Sequence, residues 1–119
     1  MGQFRFLVPT SDFDGSVRFY RDVLGLAVHD AWDQDDGRGT ILVATGTGMV
    51  ELLEDDAADR SSARIAWEVD AVDALHRRLV GLDVPIVAAP ADQPWGHRNL
   101  TFLDPNGVTI TLFTVTAAH

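Results

Sequence analysis

The chain of 119 residues contains no cysteine and has few basic residues. Without cysteine there is no disulfide framework, no thiolate zinc site, no iron–sulfur cluster and no cysteine nucleophile. Nine basic residues against eighteen acidic ones give a formal charge of −9. Such a surface repels phosphate, so we expect neither nucleic acid nor an anionic membrane as a partner. A cationic small molecule would be attracted to it.

Long apolar runs are also lacking. No stretch approaches the length of a membrane span, and the N-terminal residues have no basic region followed by an apolar stretch and a cleavage site. We therefore expect a cytoplasmic protein. Hydrophobic residues make up 46% of the chain and charged residues 23%, a balance that is typical of one globular domain spanning residues 1–119.

An internal repeat is the most informative pattern that is present. Gly25 and Gly81 lie 56 residues apart, and Asp12 and Asp70, each after an apolar stretch, lie 58 apart. A period near half the chain predicts two duplicated modules. We place them at residues 1–54 and 64–119, joined by an acidic linker rich in alanine and serine at residues 55–63.

Each module is predicted to begin with a strand and a helix. In the first, Asp12 or Asp14 caps the helix, and Gly25 ends it in the left-handed conformation. Helical spacing predicts a buried stripe in this helix of Phe13, Val17, Tyr20 and Leu24. In the second, Asp70 is the predicted cap and Gly81 the predicted end. Alternation along the preceding strand places Trp67 in the core, against the helices.

Three strands are predicted to follow each helix. In the second module they are residues 84–88, 99–103 and 108–114, and the last pair is joined by a turn at residues 104–107. The final strand alternates, with Ile110 and Leu112 on one face and Thr111 and Phe113 on the other. Each module is thus βαβββ, and the fold class is α+β.

Three segments carry a resemblance to a known family: SDFDGSVRFYRDVLGL, RIAWEVDAVDAL and PWGHRNLTFLDPNGVTITL. With them the chain resembles the vicinal oxygen chelate superfamily, the glyoxalase / bleomycin-resistance / dioxygenase family. The resemblance implies two paired βαβββ modules whose mixed sheets curl around a cavity, usually in a homodimer.

Enzymes of that family bind a divalent metal ion through His and Glu at four positions. The resemblance places these positions at Arg5, Glu51, Arg64 and Thr111. Only Glu51 is a ligand type, because a guanidinium group stays protonated and has no free lone pair. One carboxylate cannot hold a metal that needs about three protein ligands. We therefore expect no metal ion and no cofactor.

Without metal ligands the chain is most similar to the bleomycin-resistance branch, whose members hold a drug without turning it over. The segment from Gln93 to Gly96 adds to this similarity. We expect an aromatic small-molecule ligand, with Trp95 and Trp32 as stacking surfaces and His97 beside Trp95. The predicted ligand-binding residues are Arg5, Glu51, Arg64, Glu68, Trp95, His97, Thr111 and Phe113.

Two questions stay open at this point. The arginines either pair with Glu51 and Glu68 or receive an anionic group of the ligand, and the second possibility opposes a purely cationic drug. The function is also open among three hypotheses. They are metal-free binding, a divalent-metal-dependent lyase or dioxygenase of the same superfamily, and a metal-free enzyme with Glu51 or Glu68 as general base.

Overall fold

The computed structural model describes residues 2–116, and two successive βαβββ modules account for them. In the first module the elements are β1 (Phe4–Thr10), α1 (Phe13–Val17), a π-helical segment (Arg18–Val23), β2 (Val28–Gln34), β3 (Gly37–Thr45) and β4 (Gly48–Glu54). In the second they are β5 (Arg64–Glu68), α2 (Val72–Gly81), β6 (Ile86–Asp92), β7 (His97–Leu103) and β8 (Thr109–Val115). The predicted α+β class and the repeat of βαβββ units are confirmed.

The chain divides into two compact units, one that ends at Arg60 and one that begins at Ser61. Residues 55–63, the predicted linker, contain neither helix nor strand. Residues 117–119, the end of the second predicted module, lie outside the described residues. That both units form one domain stays a prediction. None of the described helices combines the length and the apolar character that crossing a membrane requires.

Each unit contains one mixed sheet of four strands. The strand order is β1-β4-β3-β2 in the first and β5-β8-β7-β6 in the second. The first strand of each module runs parallel to the last, and the other pairs are antiparallel. Each sheet packs one face against the helix of its own module, and we call the other face the open face. In β8, Ile110 and Leu112 are buried while Thr111 and Phe113 are half-buried, as the alternation predicts.

The first helix begins as predicted but continues differently. The Asp12 side chain caps it by accepting from the Gly15 amide, and Gly25 follows it at φ 76°. After Val17 the helix widens into the π-helical segment, in which the Leu24 amide donates to the carbonyl of Phe19, five residues back. This extra residue per turn shifts the buried side chains. Of the predicted stripe, Phe13 and Tyr20 are buried, whereas Val17 and Leu24 are half-buried and Ser16 and Phe19 are buried in addition.

The second helix ends at Gly81, as predicted, but its predicted N-cap is wrong. Its N-cap is Ala71 rather than Asp70, and no side chain caps it. Gly81 is the last helical residue, and the left-handed residue beyond the helix is Asp83, at φ 59°. Aspartate tolerates this conformation better than most residues, since its short polar side chain bonds locally. The residue with positive φ thus lies two positions beyond the last helical residue.

Two other predictions in the second unit have different outcomes. The strand predicted at residues 84–88 is shifted, because β6 covers Ile86–Asp92 and includes Pro90. Proline is tolerated there because β6 is an edge strand whose register shifts between Ala88 and Ala91. The turn at residues 104–107 is confirmed. The buried Asp104 carboxylate accepts from the amides of Asn106 and Val108, each at 2.8 Å.

Each module also has an arginine that ties the start of its helix to the sheet. Arg38 bonds Asp14 of α1 at 3.0 Å and Glu54 of β4 at 2.8 Å. Arg98 bonds Asp73 of α2 at 3.0 Å and Asp92 of β6 at 3.1 Å. We call these two groups the arginine clamps. Asp14 and Asp73 lie 59 residues apart and the two arginines 60 apart, so the Asp–Arg pair is repeated in the two modules, whereas the second carboxylate comes from β4 in one and from β6 in the other.

Two glycine substitutions test the boundaries of the helices. A Cβ atom added at Gly25 or Gly81 would meet nothing within 4 Å, so conformation alone decides the outcome. We expect Gly25→Ala to lower the free energy of unfolding by about 1–2 kcal/mol, because of its positive φ. Gly81→Ala in the helix should raise it by about 0.5–1 kcal/mol. Urea unfolding measures both, and equal destabilisation would mean that α2 ends at a left-handed Gly81.

The clamps predict an acid-sensitive part of the stability. Hydrogen bonds from Arg98 lower the pKa of Asp73, and those from Arg38 lower the pKa of Glu54. Such carboxylates stabilise the native state above their unfolded pKa and lose this effect as the pH falls through the folded pKa. We expect Arg98→Gln to lower the Tm at pH 7, and the difference from wild type to shrink below about pH 4.

The matched control for this experiment is Arg60→Gln, which removes the same charge from the exposed segment between the modules. It should leave the Tm nearly unchanged across the pH range. If the Arg98→Gln difference persists undiminished at pH 2–3, then the clamp stabilises the protein through packing rather than through ionised carboxylates.

Candidate functional site

The open face of the first sheet is apolar around one ion pair. Glu51 projects from β4 beside Ile41 of β3, and Ile41 and the neighbouring Met49 are buried. A carboxylate in such surroundings needs a compensating charge. Arg5 of β1 supplies it, with its Nη1 3.1 Å from Glu51 Oε1. The Glu51 side chain is only 12% exposed, whereas that of Arg5 is 43% exposed.

This ion pair ends a longer chain of hydrogen bonds. Arg5 Nε donates to Gln3 Oε1 at 3.1 Å, and Gln3 Nε2 donates to His29 Nε2 at 3.0 Å. Gln3 precedes β1 and His29 lies in β2, the two opposite edges of the sheet. Their contact requires the sheet to curl toward its open face. The polar groups therefore bridge the face across its apolar centre.

Trp32 also lies on this open face. It is the cross-strand partner of Gly39, and a side chain added at Gly39 would overlap the indole ring. Glycine is thus required there by the close approach of the ring. Trp32 is half-buried, so one ring face rests on the sheet. The indole of Trp32 therefore packs on the sheet itself, and its role as a stacking surface for a ligand stays a prediction.

Four predicted residues lie on the open face of the second sheet, two in β5 and two in β8, beside residues of β7. Arg64 and Glu68 lie on one side of β5, opposite the buried Trp67, whose core position is confirmed. Thr111 and Phe113 face the same way on the adjacent β8. The register brings in β7, where Asn99 pairs with Phe113 and Thr101 pairs with Thr111.

Two aromatic rings form a platform on this face. The rings of His97 and Phe113 are stacked, with centroids 4.4 Å apart and planes inclined by 5°. Trp95 lies just before His97 in a turn and is 52% exposed. The turn is fixed because the buried Gly96 takes φ 87° and its carbonyl accepts from Thr116 at 2.7 Å. The platform and the exposed indole are thus held on one short segment.

Two polar residues beside the platform, Asn99 and Thr101, were not predicted as site residues. Thr101 Oγ1 and Thr111 Oγ1 are 2.9 Å apart, and their mutual bond uses one of the two hydroxyl hydrogens. Asn99 has a buried Oδ1 atom that no group among residues 2–116 satisfies. The alternation of β7 after His97 would have placed both on this face. Whether their polar atoms are hydrogen-bonded depends on the register of the neighbouring strands, which the sequence does not reveal.

The predicted site residues therefore fall into two clusters. Arg5 and Glu51 belong to the first unit, where they are paired with each other. The second unit holds Arg64, Glu68, Trp95, His97, Thr111 and Phe113. Arg64 and Glu68 are exposed, and neither forms an ion pair within the described part of the chain. The question of pairing thus has different answers in the two units.

The four positions that the resemblance assigns to metal ligands offer a poor donor set. Arg5 and Arg64 have no lone pair to donate, and Glu51 already accepts from Arg5. Thr111 is a neutral hydroxyl bonded to Thr101. Within residues 2–116 there is no cluster of three or more His, Asp or Glu side chains suited to a metal ion. The residues at these positions do not fit a divalent metal.

A family model for the glyoxalase / bleomycin resistance protein / dioxygenase superfamily matches residues 2–112. The chain belongs to this superfamily. The duplicated βαβββ fold agrees with it, and the resemblance identified in the sequence is confirmed. No curated protein matches the chain.

Solved structures of the superfamily are similar over nearly the whole chain. The antibiotic binding protein TnmS3 from Streptomyces sp. CB03234 is 26% identical, with a TM-score of 0.81 and coverage of 97% of this chain and 96% of its own. A glyoxalase/bleomycin resistance protein from the same organism is 27% identical, with a TM-score of 0.78 and coverage of 93% and 98%. Lactoylglutathione lyase from Agrobacterium tumefaciens is 19% identical, with a TM-score of 0.72 and coverage of 93% and 91%, and shares the fold.

The buried Oδ1 atom of Asn99, which has no partner among residues 2–116, allows the role of this residue to be tested. A buried polar atom without a partner costs about 1–3 kcal/mol, and such costs persist mainly where function requires the group. We expect Asn99→Leu to raise the free energy of unfolding by about 1 kcal/mol. The control is Thr114→Val on the other face of β8, where Thr114 Oγ1 donates to the Val69 carbonyl at 3.1 Å. That variant should be destabilised, and equal losses in both would indicate that Asn99 is a purely structural residue.

Proposed function

We propose that this superfamily member binds a small planar aromatic molecule of the antibiotic type and sequesters it without a metal ion and without turning it over. One observation carries the proposal. Where the superfamily's enzymes are expected to bind metal, this chain has the Arg5–Glu51 ion pair, Arg64 and a threonine hydroxyl pair. These groups can bind and orient a ligand, but they lack the vacant coordination site of a Lewis acid.

The second sheet supplies suitable contacts for such a ligand. Flat aromatic molecules gain from offset stacking on aromatic rings, and cationic ones also gain from the electron-rich ring face. The stacked His97–Phe113 pair and the exposed Trp95 offer these surfaces. The net charge of −9 favours the approach of a ligand with a positive group. The similarity to TnmS3, an antibiotic binding protein, supports the same function.

A divalent-metal-dependent lyase or dioxygenase was the alternative from the sequence. The lyase from Agrobacterium tumefaciens shares the fold but is only 19% identical, so it supports no shared activity. The donor set described above argues against that alternative, and the site is not suited to the chemistry that the metal would supply. The homodimer and the cytoplasmic location stay predictions.

The experiment is a ligand screen with and without metal. Purified protein is screened by thermal shift against quinone, glycopeptide and peptide antibiotics, in EDTA and in buffer with Zn²⁺, Ni²⁺ or Mn²⁺. We expect at least one planar compound to raise the Tm by the same amount in every buffer. A stabilisation that appears only with the ion, or stoichiometric metal in the purified protein, would contradict the proposal.

A pair of ring substitutions locates the binding surface. Phe113→Leu keeps apolar volume but removes the ring stacked on His97, and it should weaken binding of the stabilising compound by about three- to tenfold. Phe4→Leu is the control, because Phe4 is exposed on the opposite face of β1 from Arg5. It should leave the affinity unchanged. Equal weakening in both variants would exclude the His97–Phe113 platform as the binding surface.

A further inference from the structure

The two modules have different residues at one position that the strand register makes equivalent. In the first sheet Arg5 aligns with Met49 of the last strand, and Glu51 lies two residues further on. In the second sheet Arg64 aligns with Thr109, and Thr111 lies two residues further on. Thr111 thus stands where Glu51 stands. Arg5 has its carboxylate at 3.1 Å, whereas the residue at the corresponding position in the module of Arg64 has a neutral hydroxyl, which is bonded to Thr101.

A second charge lies on the same side of the same strand. Glu68 is four residues after Arg64, so their Cα atoms are about 13 Å apart along β5. The residue between them on this face is Ala66, whose small side chain leaves the space above it open. Arg64 and Glu68 are both exposed and form no ion pair within residues 2–116. Opposite charges therefore stand at the two ends of one strand with nothing large between them.

The floor beside this strand is built from small side chains. Across the sheet, Ala66 aligns with Thr111 and Thr111 with Thr101, which aligns in turn with Ala88 of β6. The next row of the same face holds Phe113, whose ring is stacked on His97. A row of alanines and threonines bordered by aromatic rings leaves room for a flat molecule to lie on the sheet.

We propose that the ligand of this face is amphoteric: a planar aromatic molecule whose acidic group is bound by Arg64 and whose basic group, about a nanometre away, is bound by Glu68. This inference rests on the proposed function and specifies its ligand class. Arginine binds a carboxylate or a phenolate through paired N–H donors, and the remaining hydroxyl hydrogen of the Thr101–Thr111 pair can donate to the same group. Glu68 accepts from an ammonium group.

An amphoteric ligand also resolves the conflict between the charges of the chain. The overall charge of −9 favours a ligand with a positive group, whereas an unpaired arginine on the open face favours a negative one. A molecule with both groups satisfies both requirements. It also leaves no unpaired charge on the covered face, which a purely cationic or purely anionic ligand would do.

Three dyes of one skeleton test this ligand class. An unesterified rhodamine is zwitterionic, its methyl ester is cationic and fluorescein is anionic, and all three share the planar xanthene ring system. Binding to the intact protein is measured by fluorescence anisotropy at fixed ionic strength. We expect the zwitterion to bind at least about tenfold more tightly than either of the others.

Charge-removing variants assign each end of the ligand. Arg64→Gln should weaken binding of the zwitterion about tenfold and leave the cationic ester within twofold. Glu68→Gln should weaken the zwitterion and the cation but not fluorescein. The controls are Arg77→Gln on α2 and Asp59→Asn in the segment between the modules, which remove the same charges from exposed positions outside this face. They should change no affinity by more than about twofold.

The outcomes separate this inference from the proposed function. If all three dyes bind equally, or if Arg77→Gln weakens the zwitterion as much as Arg64→Gln does, the face binds aromatic molecules without reading their charge. The inference is then overturned while the proposed function stands. If none of the dyes binds and no compound of the antibiotic screen stabilises the protein, both are contradicted.

Discussion

The arginine clamp is the interaction on which each module depends. A four-stranded sheet could bury either face, and the helix decides which one is left open. Arg38 and Arg98 tie the helix to its face, because each holds an aspartate in the first turn of its helix and a carboxylate of its own sheet. Exposed ion pairs contribute little singly, but a guanidinium shared by two carboxylates also fixes orientation. With the helix held on one face, the side chains of the other face are left to bind.

Duplication gave two sheets with the same topology but different open faces. In the first, the Arg5–Glu51 pair neutralises itself on an apolar floor, so little charge is left to attract a ligand. In the second, replacement of the carboxylate position by Thr111 leaves Arg64 without a partner on its own sheet. The first face is thus internally satisfied, whereas the second offers unmet charge and stacked rings. This asymmetry is a chemical difference between equivalent positions, and it requires no difference in fold.

Much of the fold could be predicted from the sequence because local signals agree with it. Gly25 ends the first helix, Asp104 organises the last turn, and the alternation around Ile110 assigns the faces of β8. The errors arose where tertiary packing overrides a local signal. The π-helical segment buries Phe19, which a regular helix would have turned away from the stripe, and no single-residue signal marks such a widening. The same holds for the site: alternation predicts the face of Asn99, but only the aligned strands show that its amide oxygen has no partner in the part of the chain that the structure describes.

The residues at the four positions that the resemblance assigns to metal ligands limit the chemistry that the site can supply. A divalent ion and a guanidinium group both attract anions, yet only the ion has a vacant coordination site that accepts a lone pair. The ion accepts a lone pair into its coordination shell and so polarises a carbonyl or acidifies a bound water molecule. Arginine donates N–H bonds from a group that keeps its proton throughout the physiological range, so it can bind an anion but cannot coordinate a water molecule or act as a general acid. Arg5 and Arg64 at two of these positions therefore offer a ligand positive charge and N–H donors, but no vacant coordination site.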